Sequence, residues 1–371
     1  MEQIIFRPKL YKFDDTRSFA EAFHLGKEDL ILTNRYIFDP YFDENSYGVQ
    51  LIYQEDFGTG EPTDVMVDAI IRAASEKQYN RIIAIGGGTV IDIAKVLSVS
   101  GGKAVDELYA HKDELKKAHP LVIIPTTCGT GSEMTDIAII NRTRLGVKMG
   151  LTGEALYADA AILIPQLLKK LPLKVFATSS IDALVHAVES SLSPKATAYT
   201  KLFGYQAIKM LIDGYKNLAS GGMEQLPELM EDFLVASNMA GLAFGTAGCA
   251  AVHALSYPLG GTYHVAHGES NYALFTGVLN HYMEKKTDGE IAHMNQYLAG
   301  LLECDLAEVY TELENLLNRI LPKKPLHEYG MTEQDIDIFT DNVFATQGRL
   351  MANNFVELDR KDVKNIYQVL I

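Results

Sequence analysis

The chain has 371 residues, and its 33 Lys and Arg against 48 Asp and Glu give a formal net charge of −15. Nucleic acids and anionic membrane surfaces are bound through basic faces, so this acidity argues against both classes of partner. The length favours about two domains. The three cysteines are an odd, small set that favours a reducing compartment, and the N-terminal sequence carries no signal-like apolar segment, so we expect a cytoplasmic protein.

Short β-rich apolar runs alternate with helix-like segments before Pro165. The runs do not alternate between apolar and polar residues, which is typical of strands buried on both faces. Alternation of strand and helix predicts a mostly parallel sheet covered by helices. The predicted strands are 30–32, 81–85, 121–124 and 160–164, and the predicted helices include 62–76 and 90–99.

After Pro165 the apolar residues recur at helical spacing, and no convincing strand follows. Breaks between helices are predicted at 193–194, 221–222, 258–261 and 322–325, where glycine and proline cluster. We therefore predict an α/β nucleotide-binding domain over 1–168 and an all-helical domain over 169–371. Residues 233–268 carry no charged side chain, but their six glycines and several polar groups indicate a buried core segment, not a membrane span.

A triple-glycine turn, Gly86, Gly87 and Gly88, joins the strand 81–85 to the next helix. Glycine allows a ligand to approach the backbone, and a helix N-terminus attracts a phosphate. Thr89 is the predicted N-cap, with Asp92 three positions on as its capping partner. The turn is not the GxGxxG fingerprint, so a tight connection without a ligand is the alternative.

A second loop follows the strand 121–124 and supplies the hydroxyl groups of Thr126, Thr127 and Thr130 beside two glycines. Ligands of open α/β sheets bind at the carboxyl ends of strands, so both loops are expected to line one crevice and hold a pyrophosphate and its sugars. Cys128 within this loop is interpreted as a small neutral residue, because nothing near it in the sequence lowers a thiol pKa; a reactive thiol is the alternative.

Asp182 and His186 are four residues apart, so they share one face of a helix that we expect to start at the capping residues 178–180. A carboxylate and an imidazole on one face can bind one metal ion; a surface pair is the alternative. His253 and His267 lie in the uncharged segment, where buried imidazoles need a partner. We expect Pro258 and the following glycines to break the helix after His253, so that His267 can return to the same place.

Four segments together are similar to the iron-containing (group III) alcohol dehydrogenases: GGGTVIDIAK, PTTCGTGSE, SSIDALVHAVES and VHALSYPLGGTYHVAHG. The resemblance covers nearly the whole chain. It implies a dehydroquinate synthase-like fold, with an α/β dinucleotide-binding domain followed by an all-α domain. It also implies NAD(H), a divalent metal (Fe(II) first, Zn(II) as the alternative), and oxidoreduction of 4-hydroxybutyrate and succinate semialdehyde. We further expect a homo-oligomer, most simply a dimer.

The resemblance also implies roles for individual residues. The metal ligands would be Asp182, His186, His253 and His267. The cofactor's pyrophosphate would lie on Gly86, Gly87, Gly88 and Thr89, with Thr126, Thr127 and Thr130 lining the site and Lys148 contacting a ribose.

Two positions depart from the family pattern. Many members carry an aspartate where this chain has Asn34, so we expect NAD(H) to be preferred over NADP(H) less strictly. Many members carry a histidine where this chain has Tyr257. Because tyrosine is a poor proton relay at neutral pH, we predict that His264 carries the proton and that Tyr257 shapes the substrate pocket. A hydrogen bond of His264 within its own loop is the alternative.

A substrate carboxylate needs a cation or several N–H donors. Lys195, Arg142 and Arg144 are the weak candidates, against the alternative that they are solvated surface charges. Other short-chain alcohols or hydroxy acids are the alternative substrates. A dehydroquinate-synthase-like lyase is a further alternative, disfavoured by His186 as a fourth ligand. A non-catalytic nucleotide-binding protein would leave the clustered histidines unexplained.

Overall fold

The computed structural model describes residues 3–42 and 47–371. The chain divides into two compact units, one of residues 6–171 and one of residues 172–371 together with residues 3–5. The boundary lies three residues after the one predicted at 168/169, and the Leu171 N–H still donates to the Leu168 carbonyl over 2.9 Å. Residues 3–5 group with the second unit, where the Ile5 N–H donates to Thr246 Oγ1 over 3.3 Å.

The first unit is built on a six-stranded sheet with the strand order β1-β8-β5-β4-β2-β3. All five pairings are parallel, as predicted. Every residue of β2 and of β5 is buried, so both faces of the sheet are covered. The strands are β1 (Lys9–Lys12), β2 (Asp29–Thr33), β3 (Gln50–Tyr53), β4 (Arg81–Gly86), β5 (Leu121–Pro125) and β8 (Ala160–Leu163), with β6 (Ile137–Arg142) and β7 (Val147–Thr152) as a separate antiparallel hairpin.

Four of these strands were not predicted from the sequence. β1 and β3 are the edges of the sheet, and all their side chains except Ile52 are exposed or half-buried, which leaves no continuous buried run. The hairpin of β6 and β7 has several exposed residues for the same reason. The helices of this unit are α1 (Thr16–Ala22), α2 (Arg35–Phe38), α3 (Asp64–Ser75), α4 (Gly88–Ser100) and α5 (Val105–Ala110).

The second unit is helical, and its described residues contain no strand, as predicted. Its core is formed by the long helices that follow Pro172, whose apolar faces pack against one another. The helices are α6 (Leu173–Leu192), α7 (Ala198–Gly221), α8 (Leu226–Ala247), α9 (Ala251–Tyr263), α10 (His267–Lys285), α11 (Glu290–Leu302), α12 (Val309–Asn318), α13 (Glu333–Thr346), α14 (Gly348–Met351) and α15 (Arg360–Leu370).

The predicted helix break at 258–261 is wrong, because α9 continues through Pro258 to Tyr263. Proline removes one backbone hydrogen bond from the preceding turn. In the same turn, Ser256 donates to the His253 carbonyl over 2.9 Å and Tyr367 donates to the Leu255 carbonyl over 2.7 Å. The chain reverses instead at His264, whose left-handed backbone (φ 55°) ends α9 three residues before α10 begins.

Across residues 3–42 and 47–371, no single helix is both long and apolar enough to cross a membrane. The pair Met223–Ala247 and Ala251–Tyr263 reaches that length and composition only when taken together, and it is bent by 104°.

Candidate active site

The triple-glycine turn lies where β4 passes into α4. Gly87 is the N-cap of α4, and no side chain of the described residues caps it, so the first N–H groups of this helix suit an anion. The predicted capping role of Thr89 is wrong, because its hydroxyl donates to the Gly60 carbonyl over 3.1 Å. Asp92, its expected partner, instead accepts the Ile139 N–H over 2.9 Å.

The glycine turn and the threonine loop lie side by side, as the sequence led us to expect. The Thr126 N–H donates to the Gly86 carbonyl over 3.0 Å. A Cβ atom on Gly88 would lie 2.9 Å from Thr130 Cγ2, and one on Gly87 would lie 3.3 Å from Thr127 Cγ2. The two loops therefore form a cradle that side chains at the glycines would fill, and its chemistry fits a pyrophosphate. Cys128, in the same loop, is fully buried.

A buried lysine fixes the loop to α4. Lys95 Nζ donates to Ser132 Oγ over 2.8 Å, to Thr135 Oγ1 over 2.9 Å and to the Ile137 carbonyl over 2.7 Å. Burial lowers the pKa of Lys95 to about 8, although Asp92 acts against that shift. Burial also raises the pKa of Asp92, which accepts the Ser132 hydroxyl over 2.9 Å. We did not single out Lys95 from the sequence; its spacing of three from Asp92 was the available signal.

The two remaining cofactor candidates of this unit are Asn34 and Lys148. Asn34 follows β2, the neighbour of β4, and its amide donates to Gln54 Oε1 over 3.0 Å and to Glu55 Oε2 over 2.8 Å. Lys148 on β7 forms an ion pair with Glu61 over 2.7 Å.

The three candidate cations for a substrate carboxylate have different surroundings. Arg142 and Arg144 both pair with Asp106 in the first unit, and Arg144 also pairs with Asp68 over 3.2 Å, so both cations already have carboxylate partners. Lys195 is exposed just after α6, in the second unit.

The second unit brings the four predicted metal ligands together. One ligand atom from each of Asp182, His186, His253 and His267 lies within 4.8 Å of the others. Asp182 Oδ1 is 3.7 Å from His253 Nε2 and 3.8 Å from His267 Nε2. The His186 ring stacks on the His253 ring with a centroid distance of 4.6 Å. Three of the four side chains are buried, and His267 is 29% exposed, so the group opens on that side.

The electrostatics of the group suit a cation. Burial acts to raise the pKa of Asp182, but the three imidazoles and the Asn271 amide more than offset it, so the pKa of this carboxyl lies below its ordinary value. The Asn271 Nδ2 atom lies 2.6 Å from Asp182 Oδ1, 3.2 Å from His253 Nε2 and 3.3 Å from His267 Nε2. Three ligand atoms thus converge on one point, and the set of one carboxylate and three imidazoles fits Fe(II) or Zn(II).

The start of α6 and the close approach of Gly268 to Thr178 define how the ligand-bearing helices meet. The helix that carries Asp182 begins at Leu173, not at the capping residues expected near 178, and the Thr178 hydroxyl bonds back to the Lys174 carbonyl over 2.9 Å. A Cβ atom on Gly268 would lie 2.0 Å from the Thr178 carbonyl oxygen. Glycine directly after His267 therefore allows α10 to approach α6 and places His267 beside Asp182.

Glu189 hydrogen-bonds the ligand His253 and was not identified from the sequence. Its carboxylate accepts the His253 Nδ1–H over 2.6 Å and the N–H groups of Ala250 and Val252 over 3.1 and 2.6 Å. Its position, three residues after His186 on the same helix, was the available signal. Glu189, Cys249 and His253 form a second group of potential ligands, but burial raises the pKa of the Cys249 thiol well above its usual value, which disfavours a thiolate ligand.

The two proton-relay candidates differ in position. The Tyr257 ring is 5.8 Å from the His267 ring, measured between centroids, so it borders the ligand group. His264 is exposed at the end of α9, between the two ligand-bearing segments.

Comparison with known proteins decides the family. Residues 11–165 match the family described as iron-containing alcohol dehydrogenase, and residues 176–371 match the C-terminal part of the Fe-containing alcohol dehydrogenase family. The chain belongs to the iron-containing alcohol dehydrogenase family. The predicted family and fold class are thereby confirmed.

Individual relatives agree with this assignment. The chain is 45% identical over 370 residues to the 4-hydroxybutyrate dehydrogenase of Clostridium kluyveri, with 100% of both chains covered. It is 33% identical over 318 residues to long-chain-alcohol dehydrogenase 1 of Geobacillus thermodenitrificans, which covers 83% of this chain and 79% of that one. The sulfoacetaldehyde reductase of Bifidobacterium kashiwanohense, solved in complex with NAD+, has the same fold: the TM-score is 0.84 at 22% identity, over 100% of this chain and 99% of the other.

Proposed function

We propose that this chain is a metal- and NAD(H)-dependent dehydrogenase that interconverts 4-hydroxybutyrate and succinate semialdehyde. The observation that supports it most directly is that one ligand atom each of Asp182, His186, His253 and His267 lies within 4.8 Å of the others. The substrate assignment rests on the full-length relative from Clostridium kluyveri, which is 45% identical.

The four converging side chains would hold the metal, with Fe(II) as the first candidate and Zn(II) as the alternative. The turn Gly86–Gly88 with Thr89, together with Thr126, Thr127 and Thr130, would hold the cofactor's pyrophosphate, and Asn34 and Lys148 would contact its riboses. When bound, the metal supplies Lewis-acid polarisation of the substrate oxygen, and the nicotinamide exchanges the hydride.

The chain's own residues orient the reactants and move the proton. Asp182 keeps its negative charge within the buried group, because the surrounding imidazoles lower its pKa. Tyr257, beside His267, would form one wall of the substrate pocket. His264 would pass the proton released in alcohol oxidation to water, because it is exposed at the end of the same helix.

The substrate assignment is tested by comparing succinate semialdehyde with butyraldehyde at a fixed NADH concentration. Both aldehydes have four carbons, but only the first carries a carboxylate. We expect kcat/KM for succinate semialdehyde to be about 100-fold higher, the scale of charge-assisted recognition of a carboxylate. Equal efficiency would instead indicate a dehydrogenase for neutral short-chain alcohols.

Lys195 follows α6, whose last residue lies ten residues and about 15 Å along the helix axis beyond Asp182, which disfavours a contact with the carboxylate of a four-carbon substrate. Lys195→Gln should therefore leave KM for both aldehydes unchanged. We also propose that the chain forms a homodimer. Light scattering tests this by measuring the mass of the native protein in solution.

A further inference from the structure

The adenosine end of a dinucleotide is recognised beside the strand that adjoins the glycine-bearing strand. An acidic residue at the end of that neighbouring strand hydrogen-bonds the ribose 2′-hydroxyl and repels the 2′-phosphate of NADP(H). Here the glycine turn ends β4, and β2 is the adjoining strand on one side. The residue that follows β2 is Asn34, which has no charge.

A carboxylate nevertheless lies at this place, supplied by the next strand. Glu55 follows β3, which pairs in parallel with β2. Its Oε2 atom accepts the Asn34 amide over 2.8 Å, and its Oε1 atom accepts the Arg35 N–H over 2.8 Å. The Glu55 side chain is held from two directions yet remains 28% exposed. It is therefore fixed at the end of β2 and accessible to a ligand.

The cation beside Glu55 is Arg35, and carboxylates neutralise its charge. Both terminal nitrogens of the Arg35 guanidinium donate to Asp56, over 2.6 and 2.7 Å, and one lies 3.6 Å from Glu55. The guanidinium also lies 4.1 Å above the Tyr53 ring. Two carboxylates around one guanidinium leave a net negative charge. A free arginine here would favour a 2′-phosphate, whereas this paired one does not.

We propose that Glu55 is the residue that makes this enzyme select NAD(H) over NADP(H), and that Asp56 reinforces the selection by occupying Arg35. This inference rests on the proposed nucleotide site at the glycine turn. It also changes the expected role of Asn34, which positions Glu55 through its amide. Asn34→Asp would place a second carboxylate within about 3 Å of Glu55, and such like-charge contacts are unfavourable.

The test is fluorescence titration of NADH and NADPH against the wild type and Glu55→Gln. Glutamine keeps the shape and an acceptor oxygen but removes the charge. We expect the ratio Kd(NADPH)/Kd(NADH) to fall about tenfold, with Kd(NADH) changed less than about threefold. Glu28→Gln is the matched control: it removes one charge just before the other end of β2, where Glu28 accepts the Asn80 amide over 3.0 Å. Its ratio should equal that of the wild type.

Asp56→Asn provides an independent measurement at an exposed side chain, in case Glu55→Gln does not fold. Release of Arg35 should lower the same ratio, and Arg35→Ala added to this variant should restore it. An unchanged ratio in both Glu55→Gln and Asp56→Asn, with NADH still bound, would overturn the inference and leave the proposed function standing. Failure of the wild type to bind NADH would overturn the proposed function itself.

Discussion

The Nδ1 atom of His253 lies 2.6 Å from the Oε2 atom of Glu189, and both side chains are almost fully buried. This contact determines which imidazole nitrogen is available to a metal. Because Nδ1–H donates to the carboxylate, Nε2 presents its lone pair toward Asp182 Oδ1, 3.7 Å away. The same carboxylate accepts the Ala250 and Val252 N–H groups, so it also fixes the start of α9.

Replacement of Glu189 should therefore weaken metal binding without removing a ligand. We expect Glu189→Gln to raise the Kd of Fe(II) or Zn(II) about 10- to 100-fold, the usual effect of losing an outer-shell partner. Anaerobic metal titration against a competing chelator measures it. Glu290→Gln, in the helical unit but bonded to Lys201 and Tyr205, is the control and should bind metal normally. Wild-type affinity in Glu189→Gln would show that Glu189 only caps α9.

Removal of a direct ligand should have a larger effect. His267 is the most exposed of the four ligands. We therefore expect His267→Ala to fold normally while its bound metal and its activity fall to near zero. His186→Ala should do the same, with some added loss of stability because its ring stacks on Phe244. Elemental analysis measures the loss of metal, and thermal unfolding followed by circular dichroism measures the loss of stability. Full occupancy and normal turnover in both variants would refute the ligand assignment.

Because Gly88 lies against Thr130, a larger residue at position 88 should weaken nucleotide binding, and a smaller residue at position 130 should restore it. In Gly88→Ala the new methyl group would lie 2.9 Å from Thr130 Cγ2, which forces the two loops apart. We expect Kd(NADH) to rise about tenfold or more, as for other positions where backbone must approach a ligand. Thr130→Ser removes the methyl group and keeps the hydroxyl, so the double variant should recover most of the affinity. If it does not, the alanine acts on the ligand directly.

The lowered pKa of Lys95 predicts that the free energy of unfolding depends on pH above neutrality. Burial lowers its pKa to about 8, below the value near 10.5 of an exposed lysine. Between these two values the unfolded chain binds a proton that the folded protein lacks, so the free energy of unfolding rises with pH, by up to about 1.4 kcal/mol per pH unit. Urea unfolding from pH 7 to 10 should show this rise in the wild type relative to Lys95→Met. Parallel curves for the two proteins would mean that Lys95 stays charged through its three hydrogen bonds.

The relay proposal is tested by pH–rate profiles with metal content checked. We expect His264→Asn to lower kcat about 100-fold, the scale of a lost acid–base group, and to remove a near-neutral transition from the profile. Tyr257→Phe should mainly raise KM for the substrate, because its ring lies beside His267. The reverse pattern, with an unchanged profile in His264→Asn, would transfer the relay to Tyr257.

The sequence by itself determined the fold class and named the candidate ligands. Helical spacing placed Asp182 and His186 on one face, because positions four apart on a helix share a face whatever surrounds them, but the set of four ligands came from the family resemblance. The glycine turn followed from its place between a buried strand and a helix. These features are local, so neighbouring residues in the chain define them.

The tertiary structure alone decided which residues support these groups. The Glu189 side chain on α6 hydrogen-bonds His253 near the start of α9, and Glu55 reaches Asn34 because β3 pairs with β2. Near Pro258, the hydroxyl of Tyr367, more than a hundred residues later, donates to the Leu255 carbonyl in the preceding turn. Each of these contacts joins segments distant in sequence, and burial makes each partner necessary, since a buried polar group without one is costly.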